Sequence, residues 1–240
     1  MALLEVKGLV KTYGRKTVVN NVSFMVEPGK VIGLLGPNGA GKTTSFRMTI
    51  GMIAPNGGAV FLKDKDVTHL PMYLRARRGM GYLSQEPSVF QRMTVLDNIV
   101  AIIETLDIPR REHIAHGMAV LEDLGLEKLA GSLALDLSGG ERRRLEIARA
   151  LVTDPAVIML DEPFSGVDPK KVSDIKQMIA RMRDRGIGIL LTDHNVRDTL
   201  SITDRAYIID EGVILMSGGP DEVVADEAVR ARYLGDDFKM

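Results

Sequence analysis

The sequence predicts an α/β fold with a parallel sheet covered by helices on both faces. Two observations carry this. Short apolar runs such as "VIGLLG", "VIML", "GIGILL" and "RAYIID" recur along the chain. Long helical stretches separate the later ones, which argues for buried parallel strands rather than a meander. The third support is size: 240 residues, 45% hydrophobic, suffice for one large domain or two small ones.

The elements follow in order. Residues 1–26 read as strands, because "LLEVKGLVKTY" and "VVNNVSFMV" are rich in Val and alternate loosely. "EPGK" is a turn. "VIGLLG" is a short apolar strand that enters a Gly-rich loop and then a helix near 42–52. "VFLKDKDV" suggests a second small strand group, and "MGYLSQ" another buried strand. The character then changes. "TVLDNIVAIIETL", "REHIAHGMAVLEDLGL" and "GGERRRLEIARALV" all read as helices. Strands return with "AVIMLDEP", "GIGILLTDH" and "RAYIID", separated by helical "PKKVSDIKQMIARMRDR" and "VRDTLSITD". "DEG" is a hairpin turn before "VILMSG". The tail from Pro220 reads as two short helices that either cover the sheet edge or clasp a second subunit. The division expected is a single 1–240 unit. Residues 1–86 and 155–240 form its core, and residues 87–154 an inserted helical subdomain with no flexible linker beside it.

Composition excludes several classes. A net charge of -1 implies no general attraction to nucleic acid or anionic lipid. Cysteine is absent, which fits a reducing compartment. Glu5 and Lys7 fall too early for the apolar core of a signal peptide. No apolar run approaches the roughly 18 residues of a membrane helix.

The chemistry begins with "GPNGAGKTT": Gly36, Pro37, Asn38, Gly39, Ala40, Gly41, Lys42, Thr43 and Thr44. It fits G-x-x-x-x-G-K-[ST] in full, with a strand before it and a helix after. Glycines let backbone N–H groups turn onto phosphate oxygens, and the helix N-terminus adds partial positive charge. Lys42 can reach the β- and γ-phosphates of ATP, and the Thr43 hydroxyl can ligate Mg²⁺. "VIMLDEP" brings Asp161 to the C-terminal end of a buried strand, where it can hold Mg²⁺. Glu162 beside it can act as general base on water. Gln85 and His194 also follow buried strands. Gln85 reads as a contact to the metal or the attacking water, His194 as a γ-phosphate contact; each is otherwise a surface loop residue.

"LSGGERRRLEIARAL" opens a helix on two glycines, although each costs about 1 kcal/mol against Ala. Ser138 and Glu141 form an S-x-x-E capping box. The cap does not account for Gly139 and Gly140, which make sense if an anion approaches the helix N-terminus closely. That helix runs into the Asp161 strand and so lies beside the sheet, away from its own phosphate loop. The economical arrangement is a head-to-tail homodimer, in which each chain offers Ser138, Gly139 and Gly140 to the other's nucleotide. Arg142, Arg143 and Arg144 read as a solvated helix face with i,i+4 pairs rather than a lipid contact. Phe90, beside Val89 and Arg92, either forms a groove for a partner helix or packs inward.

In this order and spacing, "GPNGAGKTT", Gln85, "LSGGE", "LDEP", "SGVD" and His194 resemble the ATP-binding-cassette ATPases across essentially the whole chain. The resemblance implies a P-loop NTPase fold with a RecA-like parallel sheet core, an N-terminal antiparallel β subdomain and the helical insert. It also implies that Tyr13 stacks on adenine and that Asp168 links two sites across the dimer. Gln85 would sense two transmembrane permease subunits docked near residues 85–92. The chain would then be a peripheral ATP-hydrolysing motor on the cytoplasmic face of the inner membrane, touching neither cargo nor nucleic acid. "GYLSQEPSVFQRMTVLDNI", "LTDHNVRDTL" and "YLGDDF" are similar to the lipopolysaccharide-export branch of that family. Ser84, Pro87 and Gln91 depart from it, where Pro, Ala and Arg are expected. The alternatives are a branched-chain amino-acid importer ATPase and a soluble ATPase of the same family.

Overall fold

A long antiparallel hairpin begins the chain. β1 (Leu4–Tyr13) and β2 (Lys16–Val26) pair with Leu4 opposite Val26. β3 (Val31–Leu35) is buried at every residue and leads through the Gly-rich loop into α1 (Lys42–Ile50). β4 (Gly57–Leu62) and β5 (Lys65–Asp66) follow, then α2 (Met72–Ala76) and β6 (Met80–Leu83). Three helices form the insert: α3 (Val95–Ile103), α4 (His113–Asp123) and α5 (Gly139–Leu151). The second half holds β7 (Val157–Asp161), α6 (Pro169–Asp184), β8 (Gly188–Thr192), α7 (Val196–Leu200), β9 (Arg205–Asp210) and β10 (Val213–Gly218). α8 (Pro220–Ala225) and α9 (Glu227–Val229) end the chain with a wider turn over Arg230–Leu234. The structure, a computed structural model, describes residues 1–166, 169–235 and 238, without the side chains of residues 169–171.

Two sheets result. One has four antiparallel strands in the order β2-β1-β4-β5; the other has six, in the order β10-β9-β3-β8-β7-β6. Strands β9, β3, β8, β7 and β6 run parallel, and β10 closes one edge antiparallel to β9. The "VFLKDKDV" stretch differs from expectation. It is not a separate group: β4 pairs with β1, Leu62 opposite Leu4, and completes the first sheet. Helix α7 also stops sooner than its pattern predicts. Asp204 instead accepts the Val31 N–H at 2.8 Å and pairs with Lys30, tying the chain to the start of β3.

The layers explain the patterns. Phe46 and Ile50 of α1 pack between the sheets, against Leu4, Leu9 and Val22 on one side and Leu34, Met159 and Leu190 on the other. The opposite face of the large sheet packs on Ile175, Ile179 and Met182 of α6, at helical spacing. The insert has its own core of Val95, Ile99, Ile103, Leu121, Leu145 and Ala148. Each such fully buried Val, Leu or Ile side chain contributes about 1.5–3 kcal/mol. This architecture sends the loops after β3, β6, β7 and β8 to one edge of the sheet, where ligands of open α/β folds bind.

Candidate active site

Two glycines shape the loop after β3. Gly36 has φ 144°, and a Cβ there would lie 1.9 Å from the Ile209 carbonyl oxygen; Gly41 has φ 106°, and a Cβ would lie 2.6 Å from the Val18 oxygen. Only glycine fits either place. α1 starts at Lys42 with no side-chain cap, so its first N–H groups stay available to an anion. Lys42 is buried, and its Nζ donates to the carbonyls of Gly36 at 2.6 Å and Pro37 at 2.8 Å. Burial lowers its pKa, opposed by the nearby Glu162 carboxylate. Asn38, Gly39 and Thr43 are exposed, Pro37 and Thr44 half-buried and Ala40 buried.

The loops after β6, β7 and β8 converge on Glu162. Its backbone is left-handed, φ 48°, which costs a non-glycine residue about 1–2 kcal/mol. The Glu162 N–H donates to the Thr192 carbonyl at 2.8 Å and so holds the turn. Gln85 Nε2 donates to Glu162 Oε2 at 2.8 Å and to Ser165 Oγ at 3.3 Å. His194 Nε2 lies 2.6 Å from Glu162 Oε1. Three residues that the sequence singles out separately thus form one cluster. Asp161 accepts the Tyr82 hydroxyl at 3.4 Å; burial raises its pKa, and the Glu162 charge adds to that. Burial, with the Asp161 charge, pushes the Tyr82 phenol up to about 12.

Sequence reasoning missed Asp193. It is buried, accepts the Phe164 N–H at 2.7 Å and the Asn195 N–H at 2.8 Å, and so braces both the Glu162 turn and the His194 loop. Its pKa is raised, first by burial. An Asp directly after a buried apolar strand was the available signal.

The α5 N-terminus carries the anticipated capping box. The Ser138 N–H donates to Glu141 Oε2 at 2.8 Å, and Ser138 Oγ lies 2.6 Å from the same oxygen. A Cβ on Gly140 would meet nothing within 4 Å, so internal packing does not require a glycine there. Ser138, Gly139 and Gly140 face a cleft of about 660 Å³ that Gln85, Glu162 and Ser165 also line. None of residues 36–44 lines it. Tyr13 stands apart at the end of β1, 52% exposed, with the Lys11 ammonium 5.2 Å from its ring centre. Asp168 lies outside the described residues.

The arginine run corrects an expectation. Arg142 donates to the carbonyls of Leu135 and Leu137, Arg143 to that of Ser84 and to Glu146, and Arg144 to that of Leu124. Apart from the i,i+3 pair of Arg143 with Glu146, these are ties to other segments, not a solvated face with i,i+4 pairs, because carbonyls crowd this side of the helix. Residues 88–90 hang from the insert through buried polar side chains. Buried Glu146 accepts the Ser88 N–H at 3.2 Å. Buried Asn98 accepts the Phe90 N–H at 2.8 Å and donates to the carbonyls of Phe90 and Thr94. Phe90 is 46% exposed, with the Arg149 guanidinium 4.6 Å over its ring, while Val89 packs inward.

A glycine-lined phosphate loop under a sheet edge, with a carboxylate cluster beside it, defines a nucleotide-hydrolysing class. Comparison narrows the class. Residues 19–165 match the profile of the family described as ABC transporter. The chain is 51% identical over 238 residues to the lipopolysaccharide export system ATP-binding protein LptB of Acidithiobacillus ferridurans, covering 99% of each. It is 48% identical over 243 residues to the protein of the same name from Escherichia coli strain K12, covering 100% of each. Among solved structures, the ADP conformation of an ATP-binding cassette of an ABC transporter matches with a TM-score of 0.87. Identity there is 28%, over 98% of this chain and 100% of that one. The chain belongs to the ABC transporter family, as an ATPase subunit.

Proposed function

We propose that this chain is the motor of a lipopolysaccharide exporter: two copies close on two ATP molecules and move two permease subunits docked near residues 85–92. The observation that carries the chemistry is Glu162, gripped by Gln85 and His194 at the sheet edge. Glu162 takes a proton from the attacking water, and His194 holds both Glu162 and the γ-phosphate. Lys42 leaves the Gly36 and Pro37 carbonyls to meet the β- and γ-phosphates, beside the N–H groups of residues 38–44. Tyr13 stacks on adenine.

The donor set fits Mg²⁺. Among the described residues no cluster of three acidic, His or Cys side chains could hold a metal by itself. That suits an ion that keeps waters and takes only one or two carboxylates plus phosphate oxygens. Thr43, Asp161 and Gln85 would hold it, and when bound it supplies charge neutralisation on the phosphates. The half-buried Asp161 carboxyl is costly to ionise without such a partner.

Ser138, Gly139 and Gly140 of one copy meet the other's γ-phosphate, and Asp168 joins the two sites. The insert helices act as a lever, attached to residues 84–90 through Asn98, Arg143, Glu146 and Arg149. No helix among the described residues is long and apolar enough to cross a membrane, which suits a peripheral subunit. The export cargo is inferred from full-length relatives named LptB. A mild-detergent pull-down from native membranes tests it. Two membrane chains with lipopolysaccharide would support the reading; a system with an amino-acid binding protein would replace it with an importer.

A further inference from the structure

Arg75 is among the most deeply buried side chains, at 1% exposure. Its guanidinium meets only backbone carbonyls. Nη1 donates to Met48 at 2.9 Å and Thr49 at 2.6 Å, Nη2 to Thr68 at 2.7 Å, and Nε to Leu70 at 2.9 Å. Among the described residues no carboxylate lies within ion-pair distance of it. Burial pulls its pKa down to about 10, so it stays charged at neutral pH.

A buried cation helped by the Asp66 charge only from beyond ion-pair distance is costly, and an apolar side chain of similar volume would fill the space at less cost. What an apolar side chain cannot do is gather carbonyls from separate segments. Met48 and Thr49 are in the last turn of α1, the helix that follows the phosphate loop. Their carbonyls carry the negative end of that helix dipole; neither has an i+4 N–H, and the Met48 carbonyl is shared with the Gly51 N–H at 3.2 Å. The helix ends on Gly51 at φ 87°, where a Cβ would lie 2.6 Å from Arg75 Nε. The chain thus leaves room for the guanidinium at the rear of α1.

We propose that Arg75 is a positioning residue of the nucleotide site: it clamps the rear of α1 and thereby holds Lys42 and Thr43 at the front in place for phosphate. α1 is nine residues long, about 13 Å, short enough to move as a rigid rod. Motion at the rear therefore misplaces the front. The proposal rests on the phosphate-loop reading.

Arg75→Lys keeps the charge but not the fork; Arg75→Met removes both. Each is compared with wild type for ADP affinity by calorimetry, for kcat at saturating ATP, and for Tm. The clamp predicts ADP binding weaker by about tenfold, equivalent to about 1.4 kcal/mol, in variants that remain folded. It predicts a lower kcat at saturation as well, because Lys42 and Thr43 also face the γ-phosphate and the metal. Unchanged ADP affinity with only a lower Tm would overturn it. Lys42→Ala separates the two readings. Binding lost there but intact in the Arg75 variants overturns the clamp alone; binding intact in Lys42→Ala overturns the loop assignment and the clamp with it. Should neither variant fold, wild-type hydrogen exchange decides. Coupling is reciprocal, so ADP must slow exchange at Gly51 and Met52, whose N–H groups bond to Met48 and Arg47. Exchange there indifferent to ADP contradicts the clamp.

Discussion

Replacing Glu162 by Gln removes a base and a negative charge while keeping the side chain's length. The amide oxygen still accepts from Gln85 Nε2, now 2.8 Å from Oε2, and the amide NH₂ can donate to a neutral His194 ring nitrogen. The left-handed turn at φ 48° rests on the Thr192 carbonyl and is untouched. What is lost is proton acceptance from water. A positioned general base contributes about 10²–10⁴-fold, so kcat should fall by about 3–5 kcal/mol of barrier. Binding should not fall with it. Loss of the Glu162 charge makes Asp161 easier to ionise, because that charge is the second cause of its raised pKa. Steady-state phosphate release at saturating ATP measures the first effect, and gel filtration in ATP the second. Turnover within about threefold of wild type, in a variant that stays monomeric with ATP, would refute the assignment of Glu162 as base.

Lys42→Ala should weaken ATP binding by at least about a hundredfold, since a charge-assisted contact to phosphate and its neighbours goes together; calorimetry reads this, and unchanged affinity contradicts it. Asp161→Asn should stabilise the nucleotide-free protein at neutral pH. The folded pKa of Asp161 lies above its ordinary 3.8, so its ionisation costs stability as pH rises through that folded value. The advantage of Asn should vanish below the unfolded pKa; denaturant melts from pH 3 to 8 would show it, and a gap that widens on acidification would refute it. Asn98→Ala should destabilise by about 2–4 kcal/mol, because three hydrogen bonds to the backbone of Phe90 and Thr94 are lost inside the insert. A chemical melt within about 0.5 kcal/mol of wild type would show that the clamp on Phe90 is not needed for folding.

Much of the site was legible because its chemistry dictates spacing. The phosphate loop needs glycines where a Cβ would strike Ile209 or Val18, and the sequence supplies them at 36 and 41. The α5 cap was legible because S-x-x-E encodes its own geometry. Gln85, Glu162 and His194 were each visible as polar residues after buried strands, and adjacent parallel strands bring their loops together. Arg75 was not legible. "YLRARRGM" holds three arginines, and no periodicity in a five-residue helix marks which one turns inward. Glu146 and Asn98 were hidden for a related reason: buried polar groups on amphipathic helices look like their solvated neighbours until the loops they hold are placed. The arginines at 142–144 were misread because i,i+4 pairing was assumed, where carbonyls of other segments and an i,i+3 partner compete.

The sandwich is the claim on which the mechanism depends. Each chain would hold a phosphate loop for its own nucleotide and a Ser138 helix for its partner's. Lys42→Ala and Ser138→Arg, each inactive alone, are mixed and assayed for ATPase activity. Mixed pairs contain one site with both defects and one with neither, so activity absent from both parents should reappear. A mixture as inactive as its components would contradict the account.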